Sequence, residues 1–254
     1  MPTEDAGAVD SLPELSIVIP TFNEERIVEE SVARMLPAIR GGGSFEVIFS
    51  DDGSADQTPA ILRRLARSHT EIRVVGHERN RGKGAAIKAG VLASRGRFVL
   101  YTDADLVYGV DQVDAYRAAL AGGADLAIGS RGHPDTRFVL HPRHFPYLSL
   151  RHRIGVTYIA LVNRLLGLGV SDTQCGFKMI RGDVARELFS ETRIEDFAFD
   201  VELLCLARMR GFKIVELPVQ LRYRGSPSSV RLMTDAPRMI LDLLAIRMRI
   251  GGAR

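Results

Sequence analysis

Short apolar runs alternate with amphipathic stretches along the first 130 residues of the chain. Runs that favour buried strands occur at 15–19, 45–49, 72–75, 98–101 and 126–129. Stretches of helical character lie between them, at 24–40, 60–67, 84–94 and 111–120. Strands that alternate with single helices are typical of a parallel α/β sheet.

The pattern changes after residue 130. The segment 131–153 is rich in arginine and histidine and predicts a long loop, followed by an apolar helix at 155–166 and a polar turn at 171–178. Beyond it, the spacing predicts helices at 183–189 and 197–210, strands at 213–219 and 220–223, and an amphipathic helix at 230–250. We therefore predict a flexible N-terminus (1–13), one domain (14–225) with halves 14–130 and 131–225, and a C-terminal helical appendage (226–254).

Composition narrows the class of protein. The chain has 254 residues, of which 46% are hydrophobic and 26% charged, and this balance excludes disordered, collagen-like and coiled-coil chains. Cys175 and Cys205 form no CxxC pattern, which excludes a disulfide scaffold and a cysteine zinc site and favours a reducing cytoplasm. The longest uncharged apolar stretch, 154–162, is much shorter than the ~20 residues of a membrane span. The acidic start of the chain does not resemble a signal peptide.

The net charge of +3 hides an uneven distribution. Acidic residues concentrate in the loops of the first half, and basic residues concentrate in 131–153 and in the last 24 residues. This asymmetry predicts a cation-binding pocket beside an anion-binding one, and a solvated surface is the alternative interpretation.

Four loops follow predicted strands and contain most of the unusual polar residues. They are 21–24, 51–54, 76–83 and 103–105. In an open parallel sheet such loops lie at the edge where the strands end, and ligands bind there. We therefore expect the four loops to form one binding edge.

Three of these loops carry recognisable chemistry. Asp103 and Asp105 follow a strand at positions i and i+2, where two carboxylates can bind one Mg²⁺ or Mn²⁺ ion shared with a substrate phosphate. Asp51 and Asp52 could hold a ribose hydroxyl or a base N–H. The basic, glycine-rich segment 79–86 opens a helix, where free N–H groups bind phosphate, although its spacing is not that of an NTPase P-loop. Each motif alone has an ordinary interpretation as a surface turn, but in this order they predict a nucleoside-diphosphate site.

The chain resembles the family two glycosyltransferases of the GT-A fold. The resemblance is carried by 18–25 (VIPTFNEE), 51–54 (DDGS), 80–84 (NRGKG) and 103–105 (DAD). Two further motifs, 172–178 (DTQCGFK) and 198–204 (AFDVELL), are similar to those of dolichyl-phosphate glucosyltransferases and, next, of polyprenyl-phosphate mannosyltransferases. The resemblance covers about residues 14–250. It implies an α/β GT-A (nucleotide-diphospho-sugar transferase) fold, with a mostly parallel central sheet flanked by helices and a C-terminal amphipathic helix.

The resemblance also implies a donor site in the first half, carried over from matching motif positions. Asp103 and Asp105 would bind the metal, Mg²⁺ or Mn²⁺, which would neutralise the diphosphate as it leaves while the anomeric carbon inverts. Val107 stands where the mannosyltransferases often have a glutamine, so a third protein ligand has no counterpart here. The expected nucleotide-sugar-binding residues are Pro20, Thr21, Asn23, Glu24, Asp51, Asp52, Gly53, Lys83, Gly84 and Asp103.

The acceptor decides whether a general base is needed. A phosphate acceptor is already an anion and needs positive charge, which Arg131, Arg151 and Arg153 could supply from the stretch where the family's phosphate-binding arginines lie. A hydroxyl acceptor would need a base from the acids of the second half, of which we expect Asp200 to face the acceptor. The candidate catalytic residues are Asp105, Asp172, Asp196 and Asp200.

We predict a metal-dependent inverting glycosyltransferase that moves a hexose, expected to be glucose, from UDP-glucose to a polyprenyl phosphate or another anionic acceptor. One alternative keeps the fold with a soluble small-molecule or glycan acceptor, and another is a non-catalytic nucleotide-sugar binding protein. The tail helix, with Ile240, Leu241 and Leu244 near several arginines, either packs on the core or makes peripheral contact with the inner face of a membrane. Relatives carry membrane-spanning segments that we do not expect in this chain. We expect a cytoplasmic protein with no nucleic-acid partner.

Overall fold

The computed structural model describes residues 12–141, 145–223 and 232–251, so the predicted flexible N-terminus lies almost entirely outside the described residues. The strands are β1 (Leu15–Thr21), β2 (Phe45–Asp52), β3 (Ile72–His77), β4 (Phe98–Thr102), β5 (Leu126–Ser130), β6 (Arg137–Val139), β7 (Phe177–Arg181), β8 (Ile214–Pro218) and β9 (Gln220–Arg222). The helices are α1 (Val28–Ile39), α2 (Thr58–Ser68), α3 (Lys83–Ala93), α4 (Val113–Ala121), α5 (Phe145–Leu166), α6 (Gly182–Glu191), α7 (Phe199–Met209) and α8 (Leu232–Gly251). A 3-10 turn, Val110–Gln112, leads into α4.

The strands form one large sheet and one small one. The large sheet has seven strands in the order β3-β2-β1-β4-β7-β5-β8, and β6 pairs with β9 in the small sheet. Only β7 is antiparallel to its neighbours in the large sheet, β4 and β5. The other pairs are parallel, because each of the first strands returns to the sheet through a helix. The prediction of a mostly parallel sheet flanked by helices is confirmed.

The core lies on both faces of the large sheet. Strand β1 shows the arrangement, because Ile17 and Ile19 belong to the cluster beneath α1, α2 and α4, whereas Val18 belongs to the cluster beneath α3, α6 and α7. Successive side chains of a strand point to opposite faces, so a strand covered on both sides is apolar throughout. Each fully buried aliphatic side chain of this kind stabilises the fold by roughly 1.5–3 kcal/mol. The most continuous apolar runs, those of β1, β4 and β5, therefore belong to strands in the interior of the sheet.

The prediction of a long loop over 131–153 is wrong. Strand β6 occupies Arg137–Val139, and α5 begins at Phe145, ten residues before the predicted start at Gly155. Pro146, the second residue of α5, is compatible with the first helical turn, where no intrahelical bond needs its N–H. Arg151 and Arg153, which contributed to the prediction of a loop, lie on this helix.

The polar turn predicted at 171–178 ends in a strand that the sequence did not predict. Strand β7 begins at Phe177 and lies between β4 and β5. Its sequence, FKMIR, carries two charged residues in five, which argues against a central strand by composition. Lys178 is nevertheless completely buried there. Its charge is balanced by the carboxylate of Asp200, which lies on α7.

The C-terminal helix α8 is present and has two different faces. Leu243 and Ile246 are buried against the core, and the helix packs on α5 and α7. Its other face exposes apolar side chains, including Leu241 at 65% and Met248 at 73%. Among the described residues, no helix is both long enough and apolar enough to cross a membrane.

Candidate active site

The loops that follow β1 to β4 lie together at one edge of the sheet. The strand register pairs Thr21 with Asp51, Asp51 with Gly76 and Asp52 with His77, so the ends of β1, β2 and β3 are level. The parallel topology places the end of β4 at the same edge, beside β1. The structure therefore brings together the four loops that the sequence singled out.

The first feature of this edge is the acidic turn after β4. Asp103 forms an ion pair with the ammonium group of Lys83, and Asp105 accepts a hydrogen bond from the Val107 N–H at 3.2 Å. Leu106 has a φ of +48°, an uncommon conformation for a residue with a side chain. Its N–H donates to the Asp103 carbonyl at 3.1 Å. The strained backbone is typical of a functional turn. It fixes the backbone positions from which the side chains of Asp103 and Asp105 extend.

The charge at this turn is predominantly negative. Burial, followed by repulsion from Asp105 and Asp103, raises the pKa of Glu24 from 4.5 to about 7. Burial and Asp103 likewise raise the pKa of Asp105 from 3.8 to about 6. Lys83 opposes both shifts but does not cancel them. Partly buried carboxylates that repel one another favour a bound cation.

The carboxylates fit a shared divalent cation rather than a closed metal site. Among the described residues, no three or more histidine, cysteine or acidic side chains are grouped to hold a metal by themselves. Asp103 and Asp105 offer hard oxygen donors, which Mg²⁺ and Mn²⁺ accept. Such ions commonly complete their coordination with substrate phosphates and water. The residues present are therefore compatible with a metal that arrives together with a diphosphate.

Asp52 holds the glycine-rich 79–84 loop. Its side chain is buried and accepts hydrogen bonds from the N–H groups of Arg81 at 3.1 Å and Gly82 at 2.7 Å. The Nδ1 atom of His77 lies 2.9 Å from the same carboxylate. Because both oxygens are occupied by the protein, this geometry gives Asp52 a positioning role. Its expected contact with a nucleoside stays a prediction.

The glycines of the 79–84 loop serve protein packing. A Cβ on Gly84 would lie 2.7 Å from the Cβ of Phe199, and one on Gly82 would lie 2.3 Å from Asp196 Oδ1. The N–H of Ala85, in the first turn of α3, donates to the Glu195 carbonyl at 3.0 Å. The close approach of residues 194–199 gives Gly84 a packing role, and its predicted contact with the nucleotide stays a prediction.

Asn23 joins the loops after β1 and β2. It has a φ of +56°, its N–H donates to Ser54 Oγ at 2.8 Å, and its Oδ1 accepts from the Ala55 N–H at 2.9 Å. Ser54 is in turn held by Asp51, with the two side-chain oxygens 2.5 Å apart. Helix α1 begins at Val28, four residues after the start of the helical stretch predicted at 24–40, because residues 22–27 form this loop and turn. The loops form one hydrogen-bonded wall of the site.

Three further predicted nucleotide-binding residues complete this wall. Thr21 is buried and donates to the Ser50 carbonyl at 3.4 Å, and Pro20 is the preceding residue of β1. Gly53 has a φ of +73°, and a Cβ there would lie 2.5 Å from the Arg79 backbone. A side chain at Gly53 would separate the loop after β2 from the 79–84 loop. The nucleotide contacts of all three residues stay predictions.

Asp172 is engaged by Arg131 and is not free to act as a base. The Arg131 Nε and Nη2 atoms donate to the two Asp172 oxygens at 2.6 and 2.9 Å, and the Arg131 backbone N–H adds a third bond at 3.0 Å. Burial would raise the pKa of Asp172, but the bonds and charge of Arg131 outweigh it and lower the pKa below its usual value. The carboxylate therefore stays ionised and orients the guanidinium group.

Asp200 is buried beneath the site. Its Oδ1 accepts from Lys178 Nζ at 2.7 Å and from the Tyr101 hydroxyl at 2.6 Å. Lys178 also donates to the Cys175 carbonyl at 2.6 Å. These contacts do not support our expectation that Asp200 faces the acceptor. The sequence offered one signal for the unpredicted partner Lys178, which is a lysine inside an otherwise apolar run.

The remaining predicted residues lie further from the acidic turn. Asp196 forms an ion pair of 2.7 Å with Arg238 of α8, and burial is the main cause of its raised pKa. Arg153 is exposed on α5, and the side chain of Arg151 lies outside the described part of the structure. Of the three predicted acceptor arginines, only Arg131 is seen to contact other predicted site residues.

One turn connects Arg131 with the acidic turn after β4. Asp172, which binds Arg131, begins this turn, and a Cβ on Gly176 at its other end would lie 2.4 Å from Asp103 Oδ2. The carboxylates of the first half and the guanidinium group of the second half therefore lie on either side of residues 172–176. This arrangement can hold a bound cation and an anionic group next to each other.

Comparison with known proteins identifies relatives over most of the chain. The chain is 33% identical over 254 residues to dolichyl-phosphate beta-glucosyltransferase of Mus musculus and 32% identical to that of Homo sapiens, covering 93% of this chain and 75% of each relative. Among solved structures, it is similar to glucosyl-3-phosphoglycerate synthase from Mycobacterium tuberculosis in complex with UDP, with a TM-score of 0.67, 21% identity and coverage of 92% of this chain and 80% of that one. At this identity the likeness shows the fold alone, and it confirms the expected GT-A architecture.

The family assignment follows from a direct match. The model of the family described as glycosyl transferase family 2 matches residues 16–189, which include the acidic turn, the 79–84 loop and the 172–176 turn. This chain, a glycosyltransferase, therefore belongs to glycosyl transferase family 2.

Proposed function

We propose that the protein transfers glucose from UDP-glucose to a polyprenyl phosphate with the help of a divalent cation, inverting the anomeric carbon. The observation that carries the proposal is the acidic cluster of Glu24, Asp103 and Asp105, in which burial and then mutual repulsion raise the pKa values of Glu24 and Asp105. The names of the relatives, dolichyl-phosphate beta-glucosyltransferases, support the sugar and the acceptor.

The donor would bind at the acidic turn. Asp103 and Asp105 would hold the cation, which when bound supplies positive charge to the departing diphosphate. Lys83 adds a protein cation beside Asp103 and would stabilise the same developing charge. The loops held by Asp52 and Asn23 would form the wall for the nucleoside.

The acceptor half favours a phosphate nucleophile. The three acids that could have served as bases are all engaged, Asp172 by Arg131, Asp196 by Arg238 and Asp200 by Lys178. A phosphate oxygen needs no base because it already carries the attacking electron pair. It would form a bond to the anomeric carbon while the bond from that carbon to the diphosphate oxygen breaks, and UDP would leave with that electron pair. Arg131 would hold the acceptor phosphate.

A transfer assay tests this proposal. The purified chain is given UDP-glucose or GDP-mannose, with a polyprenyl phosphate, the matching polyprenol or 3-phosphoglycerate, in Mn²⁺ or in EDTA. We expect glucosyl transfer to the polyprenyl phosphate in Mn²⁺ only. Asp105→Asn should abolish it, whereas Asp114→Asn, at an exposed carboxylate of α4, should not. Transfer only to 3-phosphoglycerate, or UDP binding without any transfer, would refute the lipid acceptor.

We also propose that α8 contacts a lipid surface, which would bring the site to a membrane-embedded acceptor. The support is the exposed apolar face of the helix, where Leu241 and Met248 are more than half exposed. The charge argument is weaker than the sequence suggested, because Arg238 and Arg249 form ion pairs with the protein. Flotation with anionic vesicles should recover the wild-type chain and not a Leu241→Ser/Met248→Ser variant. Equal recovery of both would refute this contact.

A further inference from the structure

A short segment before α7, residues 193–196, connects the C-terminal helix with the 79–84 loop. Its first two residues are held by Glu202 of α7, whose Oε2 accepts the N–H groups of Arg193 and Ile194, each at 2.8 Å. The Glu202 side chain is only 5% exposed. A buried carboxylate that binds two backbone N–H groups fixes the path of the chain at this point.

Helix α8 supplies the charge that balances Glu202. The guanidinium group of Arg249 pairs with Glu202 Oε1, and its Nη2 donates to the Glu191 carbonyl at 2.9 Å. Arg249 therefore joins the end of α6 to the start of α7, on both sides of the 193–196 segment. Nearer the start of α8, Arg238 pairs with Asp196 at 2.7 Å.

The opposite side of the segment lies against the nucleotide-binding edge. The Glu195 carbonyl accepts the Ala85 N–H at 3.0 Å, and the Glu195 side chain forms an ion pair with Arg81. Asp196 approaches Gly82 so closely that only glycine fits there, with a φ of +117°. Lys83 lies between these contacts, directly after Gly82.

We propose that Arg249 is a positioning residue for the nucleotide site. Acting through Glu202 and the 193–196 segment, it holds the 79–84 loop and Lys83 in the arrangement that binds a nucleoside diphosphate. Without Arg249, the buried Glu202 carboxylate loses its counter-charge, and the segment it fixes becomes less stable. The identity of the ligand rests on the proposed function, but the mechanical connection does not. The C-terminal helix would thus control the donor site from the far side of the loop.

The test compares two arginines of the same helix. Arg249→Gln removes the connection, and Arg247→Gln is the matched control, because Arg247 contacts only the Leu165 carbonyl of α5 in the described structure. Hydrogen exchange of the full chain should show the Ile194 and Ala85 amides exchanging at least about 5-fold faster in Arg249→Gln, the low end of typical coupling between sites. The dissociation constant of UDP in Mn²⁺, measured by calorimetry, should rise by about the same factor. Arg249→Lys should restore part of both effects.

The outcomes separate this inference from the proposed function. The positioning role would be overturned if the Ala85 amide exchanged at the wild-type rate in Arg249→Gln. It would also be overturned if Arg247→Gln accelerated the exchange of this amide as much as Arg249→Gln does. If the wild-type chain binds no UDP but Ala85 still responds, the proposed function fails and the connection stands. If Arg249→Gln does not fold, Arg238→Gln replaces it, since the more exposed Arg238 pairs with Asp196 in the same segment.

Discussion

Lys178 offers the sharpest test of how the site is supported. It is completely buried in a central strand, its ammonium group lies 2.7 Å from Asp200 Oδ1 and 2.6 Å from the Cys175 carbonyl, and Tyr101 adds a third group to the network. Lys178→Met keeps the unbranched shape and removes the charge. Of the two hydrogen-bond donors to the Asp200 carboxylate, Lys178 and the Tyr101 hydroxyl, only the hydroxyl would then remain.

The expected loss is large because the remaining charge stays buried. Breaking a buried ion pair from one side costs about 3–5 kcal/mol, which is a substantial part of the roughly 5–15 kcal/mol by which proteins are stable. In a chain of this size, each kcal/mol lowers the melting temperature by about 2–4 °C. We therefore expect a decrease of roughly 6–20 °C.

Urea denaturation followed by circular dichroism measures this loss, with Lys213→Met as the control at an exposed lysine. The control should change the free energy of unfolding by less than about 0.5 kcal/mol. The double variant Lys178→Met/Asp200→Asn should be more stable than Lys178→Met alone, because the unpaired charge is gone. A loss below about 1 kcal/mol in Lys178→Met, or no recovery in the double variant, would refute the argument that the pair is a buried, mutually dependent unit.

Three further predictions concern the site itself. In EDTA the melting temperature should fall as the pH rises from 4.5 towards 7. The reason is that the raised pKa of Glu24 makes the folded state prefer the protonated carboxyl group. Glu24→Gln should make this dependence on pH weaker in thermal scans. Gly84→Ala should cost about 1–3 kcal/mol in urea denaturation by forcing Phe199 and residue 194 away, whereas Gly155→Ala on α5, with open space around its Cβ, should be neutral or stabilising by up to about 1 kcal/mol. Arg131→Lys, which keeps a positive charge beside the buried Asp172 but loses the bidentate guanidinium group, should raise the KM for a phosphate acceptor at least about tenfold, corresponding to one lost charged hydrogen bond. The affinity for UDP should stay unchanged in calorimetry, and a parallel loss of UDP affinity would instead indicate collapse of the 172–176 turn.

The sequence predicted the first half of the fold well because its determinants are local. Strands β1, β4 and β5 are almost entirely apolar, as strands buried on both faces require, whereas the edge strand β3 carries Arg73 and is only partly buried. The acidic turn could be found for a related reason. Asp103 and Asp105 directly follow such a run, so the end of the strand located them without any knowledge of their partners.

The second half depends on contacts between distant residues. Strand β7 contains a lysine whose charge is balanced by Asp200, 22 residues away. Asp172 also depends on a distant contact. The sequence made it a candidate base, but in the structure its carboxylate is paired with Arg131, 41 residues away. The glycines at 82 and 84 gave a correct signal of close approach, since the 193–196 segment and Phe199 lie against them, and the nucleotide contact predicted for Gly84 stays a prediction. Spacing along the chain cannot distinguish a phosphate from another part of the protein.

Pairing of charges changes the meaning of the net charge of +3. The sequence suggested an excess of arginines facing an excess of acids, yet Arg131, Arg238 and Arg249 are each paired with a carboxylate of the domain. The acidic turn is different, since several carboxylates share Lys83 there, and burial together with their mutual repulsion raises the pKa values of Glu24 and Asp105. The local imbalance at this edge is therefore negative, and a diphosphate approaching it would be repelled unless a cation is bound. From the same electrostatics that make the turn a candidate metal site, we predict that nucleotide binding depends on the metal.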